Sequence, residues 1–527
     1  MVLNLPAVPA ALAKSQVTTL SSTLGAPAPS GVYYEIFVRS FYDSNGDGVG
    51  DLNGVTEKLP YLKSLGVSGI WLIPIFPSPS YHGYDITNYR AINPQYGTMT
   101  DFERLVKTAH ADGIKLILDM VINHSSDKIS WFKAAANPSS PYHDWYYWAG
   151  PHTDLDVKDP WGGPVWRTLG QRHYMGIFCR CMPDLNYHNP AVRRTMISIG
   201  RFWLRKGVDG YRLDAAKHIF DKTQKDNHSL TIMRESAGWW SEYRRGIDAV
   251  DPHAYLVGEV SGNHYRYDAP FVKPLNAVFD FPLAARLLKS VKSGYDAHIA
   301  RALVHMQHIY RRAAGHYVMD APFLSNFDQQ RVMTDLHGNI DRMKVAAAML
   351  LTLPGNPYVY YGEEIGMRGT KPDPLDREPM RWNVSPAARG ETTWEAPPAG
   401  LHEDVSVEAE RADSDSLLNR YRELIHWRMD IAPLRDGRAG VYATLNPALT
   451  AWRLSDRQGS VLVLHNLSGT PQRLSLHGVN GLRYQTLLRA TSARTALHGD
   501  VLNLPAYSSA VLEGSTAKAD MNSRGAP

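Results

Sequence analysis

From residue 31 onward, short apolar runs alternate with segments in which apolar side chains recur every three or four positions. Runs rich in β-branched and aromatic residues predict strands, and the three- to four-residue period predicts helices. The first strands are predicted over residues 33–38, 69–75 and 115–122, with helices over 54–65 and 100–112. Thr100 and Glu103 have the spacing of a capping box at the start of the second helix. This βαβ order predicts parallel strands.

The alternation is interrupted over residues 125–187, which are rich in Trp, Tyr, Pro, His and Gly and show little periodicity. A stretch of this length is too long for one structureless loop, so it predicts a small inserted domain. Five further strands are then predicted: residues 209–213, a run ending at Glu259, residues 277–281, a run ending at Asp328, and residues 357–361. Helices over 190–206 and 343–353 accompany them. Eight parallel strands with intervening helices are typical of a closed α/β barrel.

Beyond about residue 434 the pattern changes to short strands separated by polar turns, for example residues 451–454, 460–464 and 510–512. Closely spaced strands without helices predict a separate antiparallel β-domain. We expect this domain to span residues 434–514, with a polar tail over 515–527 and a flexible leader over 1–30.

Composition and charge exclude some function classes. The 527 residues are 44% apolar and 20% charged, and the formal net charge of +4 is too small to indicate binding to nucleic acid or to an anionic membrane. No stretch reaches the roughly 18 apolar residues of a membrane span. The leader shows no intact signal peptide, so the compartment stays open, with a periplasmic or secreted location favoured and a monomer expected.

The two cysteines, Cys179 and Cys181, are separated by one residue. So close a pair seldom forms a relaxed disulfide, and two ligands alone do not make a zinc site. We therefore expect two free thiols. The sequence also contains no phosphate-binding glycine loop, zinc-protease helix motif or serine nucleophile elbow.

Three carboxylates stand at the ends of apolar runs: Asp214, Glu259 and Asp328. Because the carboxyl ends of barrel strands meet on one face, where active sites lie, these acids are expected to converge in one pocket. Converging carboxylates are the groups that cleave a glycosidic bond. For each acid, an ordinary structural role as an ion-pair partner or turn residue is the alternative.

The surroundings of the three acids suggest different roles. Arg212 lies two positions before Asp214 on a strand, so both side chains face one way and the guanidinium should lower the pKa of Asp214. An ionised Asp214 suits a nucleophile. The apolar run before Glu259 favours a protonated carboxyl, which suits an acid that protonates the leaving oxygen and then activates water. Asp328 suits stabilisation of an oxocarbenium-like transition state.

Two further segments offer contacts to a sugar. His124 follows the third predicted strand and can donate a hydrogen bond to a sugar hydroxyl; the alternative is a satisfied loop histidine. Tyr84 and Asp85 follow a His-Gly turn, and an aromatic ring beside an acid suits the floor under one glucose unit.

Oxygen ligands recur at alternate positions in the segment 43–51, from Asp43, Asn45 and Asp47 to the backbone carbonyl of Val49 and to Asp51. This pattern matches the first half of a calcium loop, including a glycine at the sixth position. It departs from an EF-hand because the twelfth position is Gly rather than Glu. A structural calcium ion is predicted here, and a tight Asn/Asp/Gly turn is the alternative.

Together these motifs resemble the α-amylase family of glycoside hydrolases, family thirteen, over nearly the whole chain from Gly31 to about Leu512. The matching segments are residues 119–124, 210–218, the strand that ends at Glu259, and 323–328. Residues 182–186, Met-Pro-Asp-Leu-Asn, resemble the extra motif of members intermediate between neopullulanases and oligo-1,6-glucosidases. The resemblance implies a (β/α)8 TIM barrel over residues 31–124 and 188–433, a domain over 125–187 inserted after strand three, and a C-terminal β-sandwich over 434–514.

The resemblance also implies a retaining mechanism on α-glucans, with Asp214 as nucleophile, Glu259 as acid/base and Asp328 as transition-state stabiliser. The implied contacts to the cleaved sugar are Arg212, His124, Tyr84 and Asp85, and Lys217 and His218 are implied to line the leaving-group side. One position departs from the pattern, because the fourth motif usually reads Asn-His-Asp and here has Phe327 in place of the His; Phe327 is still expected to contact the substrate. A lost charge-assisted hydrogen bond costs about 1.5–3 kcal/mol, which is roughly ten- to a hundredfold in rate if it falls on the transition state.

Ala215, directly after Asp214, resembles members that act on α-1,4 bonds. The main hypothesis is therefore hydrolysis of α-1,4-linked glucose chains in starch, maltodextrins or maltooligosaccharides. An α-glucosidase or an α-glucan transglycosylase is the alternative, and Phe327 bears on the balance between hydrolysis and transfer. A non-catalytic glucan-binding homologue is a third hypothesis, which the presence of all three acids disfavours.

Overall fold

The computed structural model describes residues 30–262, 264–396 and 405–516. The predicted leader lies outside the described residues apart from residue 30, and the predicted tail apart from residues 515 and 516. The strands are β1 (Tyr33–Ile36), β2 (Gly69–Leu72), β3 (Lys115–Met120), β4 (Trp166–Leu169), β5 (Arg172–Met175), β6 (Gly210–Leu213), β7 (Tyr255–Gly258), β8 (Ala277–Val278), β9 (Tyr358–Tyr360), β10 (Arg438–Val441), β11 (Leu449–Ser455), β12 (Ser460–Asn466), β13 (Gln472–Ser475), β14 (Leu482–Ala490), β15 (Ala496–His498), β16 (Val501–Leu504) and β17 (Ser509–Thr516). The α-helices are α1 (Val38–Phe41), α2 (Leu52–Leu65), α3 (Met99–Ala111), α4 (Ser130–Ala135), α5 (Pro190–Arg205), α6 (Leu230–Asp248), α7 (Tyr265–Asp268), α8 (Phe281–Ser293), α9 (Ile299–Ala314), α10 (Val332–Asp335), α11 (Ile340–Leu351), α12 (Val407–Ala412), α13 (Leu417–Asp430) and α14 (Ala432–Asp436).

The barrel domain contains a curled parallel sheet with its strands in the order β8–β7–β6–β3–β2–β1–β9. The predicted seventh strand is wrong in form, because the segment between β8 and β9 makes isolated parallel bridges instead of a ladder. Ala321 pairs with Phe279, and Phe323 pairs with Tyr358. Pro322 stands between them and has no N–H to donate, so a continuous ladder cannot form there. These bridges nevertheless close the barrel, and the predicted α/β barrel is confirmed.

The predicted capping box at Thr100 and Glu103 is wrong, because helix α3 begins at Met99. The Thr98 hydroxyl accepts the N–H of Asp101, and the Asp101 carboxylate accepts the N–H of Thr98 at 2.8 Å. An Asp at the third helical position can reach back as a Glu does, so the same reciprocal motif lies two residues earlier.

Aromatic side chains fill the barrel interior beneath the catalytic face. Tyr33 from β1 stacks on Tyr255 from β7 and on Tyr358 from β9, with ring centres 5.2 Å apart in both pairs. Trp71 from β2 packs next to the ring of Phe279. These rings are almost fully buried and give a rigid floor to the strand ends that carry the acids.

The segment between β3 and β6 contains α4 and the antiparallel hairpin β4–β5. Its last residues return to the barrel, where Asp184 forms a bridge with His124. The fully buried Asp184 carboxylate accepts the Ile177 N–H at 2.8 Å and pairs with the Lys222 ammonium at 2.8 Å. The Met-Pro-Asp-Leu-Asn segment therefore fastens the insertion to the catalytic face.

The C-terminal region is a sandwich of two antiparallel sheets, ordered β10–β11–β12–β17–β14 and β13–β16–β15. Strand β12 is buried along its whole length. Leu462 and Leu464 face the core between the two sheets, whereas Val461 and Val463 join the barrel core. The predicted β-sandwich is confirmed, although β17 continues to Thr516 and so includes the first two residues of the predicted tail. None of the described helices combines the length and apolarity that a membrane crossing requires.

Candidate active site

A cavity of about 380 Å³ opens at the carboxyl ends of the barrel strands. Its wall includes all three predicted acids, Asp214, Glu259 and Asp328. Four of the predicted sugar contacts also line it, namely Tyr84, His124, His218 and Phe327. Residues that are far apart in the sequence therefore meet at one site, as expected for the carboxyl face of a parallel barrel.

The register of three neighbouring strands brings the first two acids together. Asp119 of β3 lies opposite Arg212 of β6, and Leu213 of β6 lies opposite Gly258 of β7. Asp214 and Glu259 are the residues that directly follow β6 and β7, so both extend from adjacent strand ends. Arg212 and Asp214 share a strand face, as the alternation of side chains requires.

Arg212 is the electrostatic centre of the site. Its guanidinium bonds both oxygens of Asp119 at 2.9 and 3.0 Å, Glu259 Oε2 at 2.7 Å, and the carboxylate of Asp214. Glu259 Oε2 also accepts the Ala215 N–H at 3.0 Å, which leaves Oε1 without a partner among the described residues. One buried cation thus orients three carboxyl groups and keeps one Glu259 oxygen open to a ligand.

The expectation that Arg212 lowers the pKa of Asp214 is wrong in its net effect. Burial is the largest influence and raises the pKa of Asp214, and the nearby Asp119 and Glu259 raise it further against the opposing effect of Arg212. Burial likewise raises the pKa of Asp119 to about 6. A single guanidinium divided among three acids does not compensate for the desolvation of all of them.

The third acid is held by a residue that the sequence analysis missed. Arg377 Nη2 donates to Asp328 at 2.9 Å and to Asp373 at 2.9 Å, and its Nε donates to the Phe327 carbonyl at 2.9 Å. Arg377 is buried and lines the cavity together with Asp373. It lies in an irregular segment after β9 that has no periodic pattern, so no sequence signal linked it to Asp328.

Phe327, where the resemblance leads one to expect a histidine, is 1% exposed and packs among charged groups. Its ring stacks on Tyr84, with centres 5.4 Å apart and planes 12° from parallel. The guanidinium carbons of Arg212 and Arg377 lie 5.4 and 5.1 Å from its ring centre. An uncharged ring beside two guanidiniums gains cation–π attraction, whereas an imidazolium there would be repelled.

The Tyr84–Asp85 pair divides between the cavity and the protein interior. The Tyr84 hydroxyl donates to Asp119 Oδ2 at 2.8 Å, and its ring lines the cavity. Asp85 is buried and accepts hydrogen bonds from the hydroxyls of Ser78 and Ser80. Asp85 is thus brought next to the site but not onto the cavity wall.

His124 is oriented differently from the expectation. Its Nε2 lies 3.2 Å from the Tyr84 carbonyl, which can only accept, so Nε2 carries the ring proton. Burial lowers the pKa of His124 to about 4, and Nδ1 has no partner among the described residues. The ring proton of the neutral His124 is therefore used inside the protein, on the Tyr84 carbonyl.

His218 lies on the cavity wall, whereas Lys217 does not. His218 lines the cavity and donates from Nδ1 to the Asp221 carbonyl at 3.0 Å, while burial lowers its pKa to about 3. Lys217 is buried and directs its ammonium to Asn227 Oδ1 at 2.9 Å and to the Ser261 carbonyl. Its hydrogen bonds connect the segment that follows β6 to the segment that follows β7.

The inserted segment supplies a wall that the sequence analysis did not assign. Trp161 lines the cavity although 59% of the residue is exposed, and its ring centre lies 5.2 Å from that of Phe178 and 5.0 Å from that of His218. The expectation of two free thiols is wrong, because Cys179 and Cys181 form a disulfide beside Phe178. Their Cα atoms are 5.3 Å apart, within the range for a disulfide, because the backbone turns here and Met182 donates its N–H to the Cys179 carbonyl at 3.2 Å.

A family model described as the α-amylase catalytic domain matches residues 35–437, which include every residue of this site. The chain belongs to the α-amylase family. A second model, the C-terminal domain of α-amylase SusG, matches residues 449–511. As a family member the chain is an α-amylase-type glycosidase, a hydrolase whose substrate class is the α-glucans.

Relatives of the family have related but different activities. Alpha-amylase 3 of Dictyoglomus thermophilum is 39% identical over 466 residues, which cover 88% of this chain and 89% of that protein. The 4-alpha-glucanotransferase of Thermotoga maritima is 32% identical over 466 residues, covering 86% of this chain and 99% of that protein. The crystal structure of an α-amylase from H. orenii has a TM-score of 0.84 and 42% identity and covers 92% of this chain and 99% of that one.

The segment predicted to bind calcium is an oxygen-rich loop before α2. The Asp43 carboxylate accepts three backbone N–H groups of the loop at 2.7–3.1 Å, and Asn45 and Asp47 each accept one. Asp51 accepts the N–H of Gly54 and caps α2. Among the described residues, no group of three or more His, Cys, Asp or Glu side chains is arranged to hold a metal ion. A cation here would also need the Asn45 amide and a backbone carbonyl, an all-oxygen donor set that suits calcium.

Proposed function

We propose that this α-amylase family member is a retaining hydrolase that cleaves α-1,4-glucosidic bonds in starch, maltodextrins or maltooligosaccharides through a covalent glucosyl-enzyme intermediate. The observation that carries the proposal is the sharing of one buried guanidinium by Asp214 and Glu259, with Asp328 on the same cavity wall. Two carboxyls on one guanidinium lie close together, which suits the roughly 5–5.5 Å of retaining enzymes better than the wider spacing of inverting ones.

In the first proposed step, an Asp214 oxygen attacks the anomeric carbon while the bond from that carbon to the glycosidic oxygen breaks. Glu259 gives its proton to the departing oxygen, and its unpartnered Oε1 is the atom placed to do so. In the second step, Glu259 takes a proton from water, whose oxygen displaces Asp214 from the same carbon. Asp328 stabilises the positive charge that develops on the sugar in both steps.

The charged network supports the division of roles between Asp214 and Glu259. Of the two terminal nitrogens of Arg212, Nη1 bonds Asp214 and Nη2 bonds Glu259, so a proton on Glu259 leaves the guanidinium to Asp119 and Asp214. The attacking carboxylate then retains its cation. Because these groups interact strongly, they titrate together as one cluster, and the bound substrate selects the carboxyl that transfers the proton.

The proposed roles are tested with Asp214→Asn, which has nearly the same shape but lacks the nucleophilic charge. We expect release of reducing sugar from starch to fall by at least roughly a thousandfold. Asp373→Asn is the matched control, since Asp373 shares Arg377 with Asp328 but makes no bond to Arg212; it should retain most activity. Equal slow release by wild type and Asp214→Asn would favour the non-catalytic hypothesis.

A transglycosylase or an α-glucosidase is the second candidate. It is favoured by Phe327, which gives the site an apolar, water-excluding surface in place of a hydrogen-bonding imidazole, and by the Thermotoga relative named as a glucanotransferase. A time course on maltooligosaccharides of defined length separates the candidates. Products shorter than the substrate support hydrolysis, longer products indicate transfer, and release of terminal glucose alone indicates an α-glucosidase.

We also propose that the loop at residues 43–51 binds a structural calcium ion through Asp43, Asn45, Asp47, the Val49 carbonyl and Asp51. The oxygen-only donor set supports the proposal. Calcium would neutralise carboxylates that now accept loop N–H groups and would hold the start of the barrel. The test is the thermal midpoint with calcium and with chelator; an equal midpoint in both would contradict it, and Asp47→Ala should remove any difference.

A periplasmic or secreted location is proposed as well, for a chain that acts as a monomer. The Cys179–Cys181 disulfide supports the location, because disulfides persist in oxidising compartments. Fractionation of producing cells tests the location, and light scattering of the purified chain tests the monomer.

A further inference from the structure

The Cys179–Cys181 disulfide lies on the wall of the active-site cavity, and both cysteines line it. The disulfide encloses a single residue, Arg180. A ring this small restricts the unfolded chain least of all, because the entropic stabilisation by a disulfide grows with loop length. The contribution of the disulfide to global stability is therefore minor, and its main effect is on the local conformation of the cavity wall.

The disulfide closes a turn whose two ends are anchored. On one side, Ile177 donates its N–H to Asp184, and on the other side Asp127 donates its N–H to the Cys181 carbonyl at 2.9 Å. The Tyr174 hydroxyl donates to the Arg180 carbonyl at 2.6 Å. The turn also lies close to Gly176, where an added Cβ would come within 2.9 Å of the Cys179 carbonyl oxygen.

Phe178 sits directly before this turn and connects the disulfide to the sugar-facing rings. Its ring centre lies 5.1 Å from that of His124 and 5.2 Å from that of Trp161. Trp161 is mostly exposed, and its packing partners among aromatic rings are Phe178 and His218. Any shift of the turn at residues 178–181 therefore moves a partner of the most exposed ring on the cavity wall.

We propose that the Cys179–Cys181 disulfide is a positioning element of the substrate site, which holds Phe178 and through it Trp161 as a platform for a second glucose unit. An exposed indole beside a cavity that accepts a sugar presents a flat apolar face of the kind that sugar rings cover. The inference rests on the proposed function for the identity of the ligand. It makes Trp161 a specificity-determining residue for chain length and makes glucan binding dependent on the oxidation state of the cysteines.

The test compares the oxidised chain, the chain reduced with a dithiol, and the double variant Cys179→Ser/Cys181→Ser. Reduction breaks the S–S bond with two electrons and two protons from the dithiol, which becomes its own disulfide. Because the chain has two cysteines, thiol titration distinguishes the oxidised form with none from the reduced form with two. Arg180→Ala is the matched control, since it alters the enclosed residue but leaves the disulfide intact.

For maltoheptaose, we expect KM to rise roughly 2- to 13-fold in the reduced chain and the double variant, the factor that corresponds to one aromatic contact. The value of kcat should change less than about twofold, and KM for maltotriose should change less than KM for maltoheptaose. In a Trp161→Ala background, reduction should have no further effect on KM. Arg180→Ala should keep the KM of the oxidised chain.

Tryptophan fluorescence supplies a readout that does not need a substrate. Reduction should change the emission of the chain, and Trp161→Phe should lack that change. An unchanged KM and unchanged fluorescence at two titrated thiols would overturn the proposal, and so would an equal KM effect in the Trp161→Ala background. If no form hydrolyses any glucan, the proposed function fails; the fluorescence change would then retain the positioning role while the sugar platform is rejected.

Discussion

At the scale of single residues, Arg212 and Phe327 decide how the site is charged. Arg212 satisfies Asp119, Asp214 and Glu259 at once, so the acids depend on one another for their cation. Phe327 lies against this guanidinium and against that of Arg377. A phenyl ring at the position where the family motif leads one to expect an imidazole offers no hydrogen bond, but it also avoids a group that two cations would disfavour in its charged form.

Phe327→His should therefore increase activity without adding a charge. Two neighbouring guanidiniums favour the neutral imidazole, and a neutral hydrogen bond to the sugar is worth about 0.5–1.5 kcal/mol, so kcat/KM on maltotriose should rise roughly 2- to 13-fold. Steady-state kinetics measure the change. Phe327→Leu is the control that alters the ring but offers no hydrogen bond, and an equal effect of both substitutions would contradict the prediction.

Burial raises the pKa values of both Asp119 and Asp328 to about 6, and these two acids predict the acid limb of the pH profile. Below that pH each takes up a proton, and the charge-assisted bonds to Arg212 and Arg377 are lost. We expect kcat/KM to fall as the pH drops through about 6. The lowered pKa values of His124 and His218, about 4 and 3, keep both rings neutral in this range.

Asp119→Asn checks the assignment of that limb, because the amide has no titrating proton but can still accept from Tyr84 and Arg212. Its pH profile should fall less steeply near pH 6, because Asp328 still titrates there whereas residue 119 does not. A limb of unchanged steepness in the variant would contradict a contribution of Asp119.

At the scale of elements, short segments without regular structure position most of the site. Asp214 and Glu259 follow true strands, but Asp328 follows a segment held by isolated bridges, and Arg377 and Trp161 come from loops. The same is true at the start of the barrel, where Asp51 ends the oxygen-rich loop and caps α2. The first turn of α2 is therefore capped by a single carboxylate.

Asp51→Ala should lower the free energy of unfolding by about 0.5–2 kcal/mol, because α2 loses its N-cap and the Gly54 N–H loses its acceptor. Denaturant unfolding in the presence of chelator measures the change without a contribution from bound calcium. Asp47→Ala, an exposed residue of the same loop, should change the value by less than about 0.5 kcal/mol. Equal losses in both variants would contradict a specific capping role.

At the scale of the whole molecule, the barrel and the sandwich share buried surface. Val461 and Val463 of β12 belong to the barrel core, and α11 packs against this strand. Because β12 contributes apolar side chains to both cores, a destabilising substitution on its barrel side should also destabilise the active site. The two domains are then expected to lose structure together rather than separately.

Val463→Ala should lower the free energy of unfolding by roughly 1.5–3 kcal/mol and lower the temperature at which glucan hydrolysis is lost. The reason is that Val463 is fully buried against the barrel core. Thermal inactivation and calorimetry measure the effect. Leu445→Ala is the control, since Leu445 is 98% exposed, and loss of the sandwich with full retention of activity would contradict the prediction.

The alternating apolar pattern was enough to predict the barrel and the C-terminal sandwich, because the period of apolar residues is a local property that repeats along a chain. It also placed three acids at strand ends, and all three line one cavity. The pattern failed at Pro322, which has no N–H to donate to a strand ladder. It also failed at the start of α3, because Asp101 can complete a capping box with Thr98 as well as Glu103 could with Thr100. The spacing of Cys179 and Cys181 was also insufficient, because the conformation of the turn decides whether two thiols meet.

The sequence by itself determined the family and the fold class, since motifs and apolar periods are written in residues that are close together in the chain. Only the tertiary structure decided that Arg212 serves three carboxyls, that Arg377 holds Asp328, that His124 donates to the Tyr84 carbonyl, and that Trp161 and the disulfide form a wall of the cavity. The physical reason is that pKa values, tautomers and cavity walls depend on neighbours that are distant in sequence, and those neighbours become known only when the chain is folded.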